Sequence, residues 1–350
     1  MRISSAVLLM MTSGISFAQP AVAPPTAAPA PRFGSAAAPA RPAGTIRLAA
    51  YNIENLFDDR DDPALKDEHE DKDLVKPAAH CVAAAAAIRA ADADVLAVAE
   101  IESVEALTWF RDTYLQGLGY DHVAAIDAGD PRGIEQGVLS RFPIAASKNW
   151  VGTKLDKEHE VIPRSKPDIK VGDVMEFARS PLAVDIEVPG AKSGGAAYAL
   201  TLVVVHQKAS GDSSAWREAE ARKIVELIRG LEAERPGRNI ALLGDFNAQP
   251  YDDSVLTYTS GGLVDIFAAR DLDQPKWITH ASGRAIDNIF ANAALAAEIV
   301  PGSAFVLGTP TRAEGLDYRK TPPPAGYASD HFPVVVDVKP VEAAAAPTKP

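Results

Sequence analysis

A single cysteine, Cys81, stands among 350 residues. One thiol closes no internal disulfide and builds no thiolate zinc site. Its place in the Ala-rich run "HCVAAAAAIRAA" reads as a buried helical side chain rather than a nucleophile. Long apolar runs are also missing: the stretch around Ala6–Met11 is too short to cross a bilayer, and no other segment reads as transmembrane. Cations are scarce, with 35 Lys and Arg against 47 Asp and Glu, a net charge of −12. That balance counts against a nucleic-acid binder, because affinity for phosphate comes largely from Lys and Arg. The deficit is uneven, however. "DDRDDPALKDEHEDKD", Asp58–Asp73, holds nine acids and three bases, a net −6 and half of the total, so net charge does not decide the substrate. This run lacks the spaced oxygen ligands and central Gly of an EF-hand loop, and reads first as a solvated loop and second as a Ca²⁺ site.

What is present is globular: 47% hydrophobic and 23% charged residues, on a chain long enough for two domains or one large α/β domain. The start, "MRISSAVLLMMTSGISFAQPAVA", pairs one Arg and a short apolar run with a small-x-small site at Ser16–Ala18, the pattern of a signal peptide over 1–18. It implies export, to the periplasm or out of the cell. The Ala/Pro-rich stretch 19–44 cannot build a core of its own and reads as an extended linker. A single domain is expected over 45–339, with 340–350 a disordered tail. Such an architecture suggests a monomer and implies no protein partner.

From Thr45 onward short aliphatic runs alternate with helical ones. "TIRLAAYNI", "DVLAVAEI", "GVLSRFPIA", "LAVDIEV", "AYALTLVVVH", "NIALLGDF", "AIDNIFA" and "FPVVVDV" predict strands, several apolar on both faces. "AAHCVAAAAAIRAA" predicts a helix, and so does "SSAWREAEARKIVELIRGLEAE", where Ile224, Leu227, Ile228 and Leu231 recur at helical spacing.

Polar residues stand where these strands end. Asn52 and Glu54 follow "RLAAY", Glu100 ends "DVLAVAE", His206 ends "LTLVVVH", and Asp245 and Asn247 end "IALLG". Asp287 interrupts "RAIDNIF", and Asp330 and His331 precede "FPVVVDV". Carboxylates and imidazoles beside aliphatic strands cost free energy unless paired or bound to a cation. Each has a bland reading: Asp245 and Asn247 as an Asx turn, Glu100 as an acid at a helix start, Asp330-His331 as a loop cap. Together they suggest one constellation at one sheet edge. Asn, Asp and Glu are hard oxygen ligands suited to Mg²⁺ or Mn²⁺. With two histidines they suit hydrolysis of a phosphate ester by activated water.

The set "AAYNIENLFD", "VLAVAEIES", "DPRGIEQGVLSRFPI", "VVVHQKASG", "LLGDFNAQP", "RAIDNIF" and "SDHFPVVV" resembles the endonuclease/exonuclease/phosphatase superfamily over about Thr45 to Val338, closest to exported bacterial members. The resemblance implies a four-layer α-β-β-α sandwich of two mixed sheets. It implies metal ligation by Asn52 and Glu100 with Glu54 in or beside the shell, and Asp330 as a further metal-site carboxylate. Asp245 would orient or activate water and Asn247 contact the phosphate. His331, held by Asp287, would be the general base or a phosphate contact, and His206 would bind phosphate or assist the leaving group. Arg179 matches a phosphate-facing Arg.

Nucleic acid is the expected substrate, supported by basic loop residues Arg164, Lys166, Lys170, Arg312, Arg319 and Lys320, with Tyr318 and Tyr327 placed to stack on bases. The alternative enzymes are a sphingomyelinase-like phospholipid phosphodiesterase or another phosphate-ester phosphatase; the first would want an apolar hairpin, and none is read here, so no stable membrane association is expected. A catalytically silent binding protein on the same fold is the alternative of another class. His280 is read either as lining the cleft or as opening a turn, Arg141 as facing phosphate or as structural, and His69, His80, His122 and His159 as solvated.

Overall fold

The computed structural model describes residues 30–60, 74–162, 168–193, 195–316 and 320–342. The expected signal peptide, most of the acidic run, the tail from 343, and Arg164, Lys166, Tyr318 and Arg319 lie outside the described residues.

In chain order the strands are β1 (Ile46–Leu56), β2 (Val95–Ile101), β3 (His122–Ala125), β4 (Glu135–Ser140), β5 (Ile144–Asn149), β6 (Lys154–Glu158), β7 (Val174–Glu176), β8 (Leu182–Val188), β9 (Tyr198–His206), β10 (Asn239–Asp245), β11 (Val264–Asp265), β12 (Asp287–Ala291), β13 (Phe305–Val306) and β14 (Val334–Val338). One six-stranded sheet has the order β13-β14-β1-β2-β4-β3, the other β11-β12-β10-β9-β8-β5, and β6 and β7 form a separate hairpin.

Alternation along the strands builds three apolar layers. In β1, Leu48 and Ala50 face the space between the sheets while Ala49, Tyr51 and Ile53 face outward. In β9, Leu200, Leu202 and Val204 point inward and Val203 and Val205 outward. A period of two with apolar residues on both faces requires cover on both. Helices supply it. α1 (Ala78–Ala91) and α2 (Val104–Tyr114) cover the first sheet; its Ala side chains let α1 lie close, burying Cys81, Ala84 and Ile88. The second sheet is covered by the 21-residue helix Ser214–Glu234, which turns Trp216, Ile224, Ile228 and Leu231 onto it. Each such buried aliphatic side chain contributes about 1.5–3 kcal/mol. The result is the expected α-β-β-α sandwich.

Part of the stretch read as linker is docked. Phe33 is 7% exposed and its ring lies 6.0 Å from that of Phe332. Ser35 bridges Leu307, and Pro39 accepts a hydrogen bond from Arg47 Nη2. Proline removes backbone donors, yet this segment carries one large apolar side chain, and burying it ties residues 33–39 to the sandwich.

Candidate functional site

The register of the sheets assembles the site. β9 and β10 run parallel and end level, so Asp245 pairs with His206; on its other side Asp245 pairs antiparallel with Asp287. Three strands thereby place His206, Asp245 and Asp287 in one row. On the facing sheet β1 and β2 are also parallel, and Asn52 and Glu100 stand at their ends. Gly244 is required beneath this row: its φ is 136°, and a Cβ there would lie 2.1 Å from the Val205 carbonyl oxygen.

Asp245 is the hub. Its Oδ2 accepts from Asn52 Nδ2 at 3.2 Å and from Asn247 Nδ2 at 3.2 Å, and its Oδ1 accepts the Asn247 backbone N–H at 2.8 Å. His206 Nε2 and His331 Nε2 each lie 3.6 Å from the same Oδ2. His331 Nδ1 sits 2.9 Å from Asp287 Oδ2. Glu100 Oε1 accepts from Asn52 Nδ2 at 3.1 Å and lies 3.7 Å from His206 Nε2. Every residue expected at the site from sequence is therefore brought to this edge except one.

The exception is Arg179. Its guanidinium is buried, donating to Asp130 Oδ2 at 2.5 Å, to the His206 carbonyl at 2.7 Å and to the Gln207 carbonyl at 2.7 Å. It holds the end of β9 in place and is not presented to a phosphate. Asp130 is the partner that makes this burial affordable, and no local signal in the sequence marked it.

The structure corrects some other readings and decides between the alternatives left for His280 and Arg141. Tyr327 is buried, not a stacking platform: its hydroxyl donates to Glu54 Oε2 at 2.7 Å, and Arg312 covers its ring at 5.0 Å. Lys76, not singled out from sequence, donates to the Glu54 carbonyl at 2.7 Å. His280 joins the site, its Nε2 lying 3.1 Å from Asp330 Oδ2. Arg141 is structural, paired with Asp92 and Asp94. His159 is buried with its ring 4.7 Å from Trp216.

Backbone conformation marks the same edge. Among the described residues six non-glycine residues have positive φ, and four of them are Glu54, Asn55, Glu100 and Asn247. Left-handed backbone costs about 1–2 kcal/mol per such residue and persists where the surroundings impose it, typically at functional positions.

The electrostatics divide the two histidines. Burial, reinforced by the Arg179 charge, holds His206 well below its ordinary value, so it is neutral; its Nδ1 has no hydrogen-bond partner among the described residues. Burial also opposes charge on His331, but the carboxylates of Asp287 and Asp245 outweigh it and raise His331 well above the ordinary value. Burial raises Asp245, with His331 and the two asparagines opposing. Asp330 is held below the usual carboxylate range, since His280 and His331 overcome its burial.

Glu54 is the informative group for a cation. Burial and then the charge of Asp330 push it up to about 7, against the Tyr327 hydrogen bond and the Lys76 charge. Burial and a neighbouring carboxylate both disfavour its charged form, a cost that a hard divalent ion relieves. Two sets of donor atoms converge within 4.8 Å: His280, Asp330 and His331, and Asp245, Asp287 and His331. Asn52, Glu54 and Glu100 lie beside these sets. Oxygen and imidazole donors without sulfur fit Mg²⁺ or Mn²⁺.

Residues 79–331 match the Endonuclease/Exonuclease/phosphatase family. The human Nocturnin catalytic domain, solved with bound sulfate, is similar at a TM-score of 0.51 and 15% identity, covering 84% of this chain and 94% of that one. Truncated TDP2 from Caenorhabditis elegans gives a TM-score of 0.50 at 11% identity, covering 84% of this chain and 97% of that one. A mannosyl-6-phosphatase of Bacteroides thetaiotaomicron gives 0.48 at 17% identity, covering 83% and 98%. At these identities the likeness is one of fold. No curated protein matches the chain.

Proposed function

This chain belongs to the Endonuclease/Exonuclease/phosphatase family, a class of phosphoesterase hydrolases, and from that premise we propose that it is an exported, monomeric, divalent-metal-dependent phosphodiesterase acting on nucleic acid. The observation that carries the reaction class is the row His206, Asp245, Asp287 with His331 across it. Asn52, Glu54, Glu100 and Asp330 would hold Mg²⁺ or Mn²⁺. The chemistry such an ion supplies is charge neutralisation at the phosphate.

The protein's own groups do the rest. Asp245, a carboxylate whose burial raises its basicity, accepts the proton of the attacking water. His331 is charged, with Nδ1 on Asp287 and Nε2 3.6 Å from Asp245 Oδ2, so its charge lies where it would meet a phosphate oxygen bound beside Asp245. This favours the phosphate-contacting role over that of general base. Neutral His206 and the Asn247 amide complete the ring of groups facing that phosphate. For substrate, Arg132 and Lys208 are close enough to affect His206 electrostatically, and Arg132 bonds Asn55 at 2.9 Å at the rim. Cations at the mouth of an acidic chain favour a polyanion. The signal-peptide pattern of residues 1–18 supports export.

One observation favours a second reading, a lipid phosphodiesterase. Val161, Ile162, Val171 and Val174, on and beside the β6–β7 hairpin, are exposed, so an apolar edge not read from the sequence exists. Among the described residues no helix is long and apolar enough to cross a membrane.

The test is hydrolysis of plasmid DNA, RNA and sphingomyelin with Mg²⁺, with EDTA, and by Asp245→Ala. Mg²⁺-dependent cutting of nucleic acid, lost with EDTA and in the variant, is expected. Turnover of sphingomyelin alone would replace this reading by the second, and no turnover of any would refute both.

A further inference from the structure

Beside Asn247 the surface opens into a cavity of about 690 Å³ that the reaction chemistry does not use. Its walls come from the loop at Ser210, the start of the Ser214–Glu234 helix, the 247–254 segment and Arg284. We propose that this cavity, resting on the phosphodiesterase reading above, binds the nucleoside next to the scissile phosphate, with Tyr251 stacking on the base and Arg284 meeting the next phosphate.

Four observations carry this. Tyr251 is 63% exposed, the most exposed aromatic side chain among the large exposed apolar residues, and it faces a cavity rather than a packing partner. An aromatic ring left in water next to a phosphate site is suited to stacking, because every base presents a π face. Second, Arg217 lines the same cavity and is nine-tenths buried; its Nη1 donates to the Lys208 and Ser210 carbonyls and so fixes the loop that forms one wall.

Third, the acids of the lining, Glu218 and Asp252 among them, disfavour a second phosphate inside the cavity yet accept from amino and hydroxyl groups. That combination suits a neutral nucleoside. Fourth, exposed Arg284 lines the cavity, and Arg132 bonds Asn55, next to Glu54 in the chain. More than one cation near the site suits a strand whose phosphates continue past the cleaved one.

The test uses the full chain, with Tyr251→Ala and Arg284→Ala, both surface positions. Binding of a labelled single-stranded phosphorothioate oligonucleotide is read by anisotropy, alongside hydrolysis of bis(p-nitrophenyl) phosphate, which has no nucleoside. Loss of one stack corresponds to about tenfold weaker oligonucleotide binding for Tyr251→Ala. Hydrolysis of the small diester by that variant should be unchanged. Oligonucleotide affinity that is the same in both variants as in wild type would overturn the proposal. Tyr251-dependent oligonucleotide binding by a wild-type protein that does not hydrolyse bis(p-nitrophenyl) phosphate would support the cavity and refute the catalytic reading instead.

Discussion

His331 lies with Nδ1 2.9 Å from Asp287 Oδ2, and this contact turns its Nε2 to within 3.6 Å of Asp245. Asp287 thus fixes the orientation of the ring and favours its charged form, in which both nitrogens carry a proton. Asp287→Asn keeps the shape but removes the charge that raises His331. Activity should fall about 100-fold, the scale of a lost acid–base arrangement, measured as kcat on a small phosphodiester.

The same pair sets a pH dependence of stability. His331 has its folded pKa raised above the ordinary value near 6.5. The folded state therefore binds the proton more tightly than the unfolded one. Its stabilisation is fully present below about pH 6.5 and is lost as pH rises through the higher folded value. Melting of the protein in EDTA between pH 6 and 9 should show a decline that Asp287→Asn lacks. Parallel curves for the two proteins would contradict the charged state assigned to His331.

Tyr327 holds Glu54 from a distance of 273 residues along the chain, hydroxyl to Oε2 at 2.7 Å. Tyr327→Phe leaves the ring under Arg312 and removes a hydrogen bond that lowers the Glu54 pKa. Glu54, already pushed up to about 7, then goes higher and is less ionised at neutral pH. Half-saturation by Mg²⁺, followed by thermal shift at pH 7, should need about 10- to 100-fold more ion, equivalent to one lost hydrogen bond to a charged group. The difference should shrink at pH 9, where the carboxylate is ionised in both proteins. A difference independent of pH would mean that the hydroxyl acts only on packing.

Arg179 separates a structural role from substrate binding. Arg179→Ala strands Asp130 in the interior and should cost about 3–5 kcal/mol in urea unfolding. Arg179→Lys should restore little, because one ammonium cannot reach an acid and two carbonyl oxygens in the plane of a guanidinium. If Arg179→Lys instead kept full stability and raised KM alone, the residue would be a phosphate ligand after all.

What was legible in the sequence follows from how far each cue reaches. Asp245, His206 and Asp287 were visible because each ends or interrupts a run of buried aliphatic residues, where a polar group needs a reason. Both sheets were visible for the same cause, period two with apolar residues on each face. Arg179 was misjudged because its partners are two backbone carbonyls and Asp130, none of which has a local signature. Tyr327 and Lys76 were missed as supports because Glu54 is remote from one and joined to the other only through its carbonyl. Docking of Phe33 was hidden by the Ala and Pro around it, whose composition argues for an unpacked segment.

Gly244 joins fold to chemistry in one residue of "LLGDFN". Its φ of 136° lies where side chains are strained, and a methyl there would meet the Val205 carbonyl oxygen at 2.1 Å. That carbonyl belongs to the β9 residue paired with Gly244, one step before His206 faces Asp245. Gly244→Ala cannot be absorbed by a flexible side chain, since the obstacle is backbone. β9 and β10 must separate at their ends, which moves His206 and Asp245 apart. Loss of activity should therefore exceed loss of stability: about 2–3 kcal/mol from strain and lost packing, against activity reduced to near background. Retained activity with a matching drop in melting temperature would show that the strand ends tolerate the displacement and that the 3.6 Å spacing of His206 and Asp245 is not required.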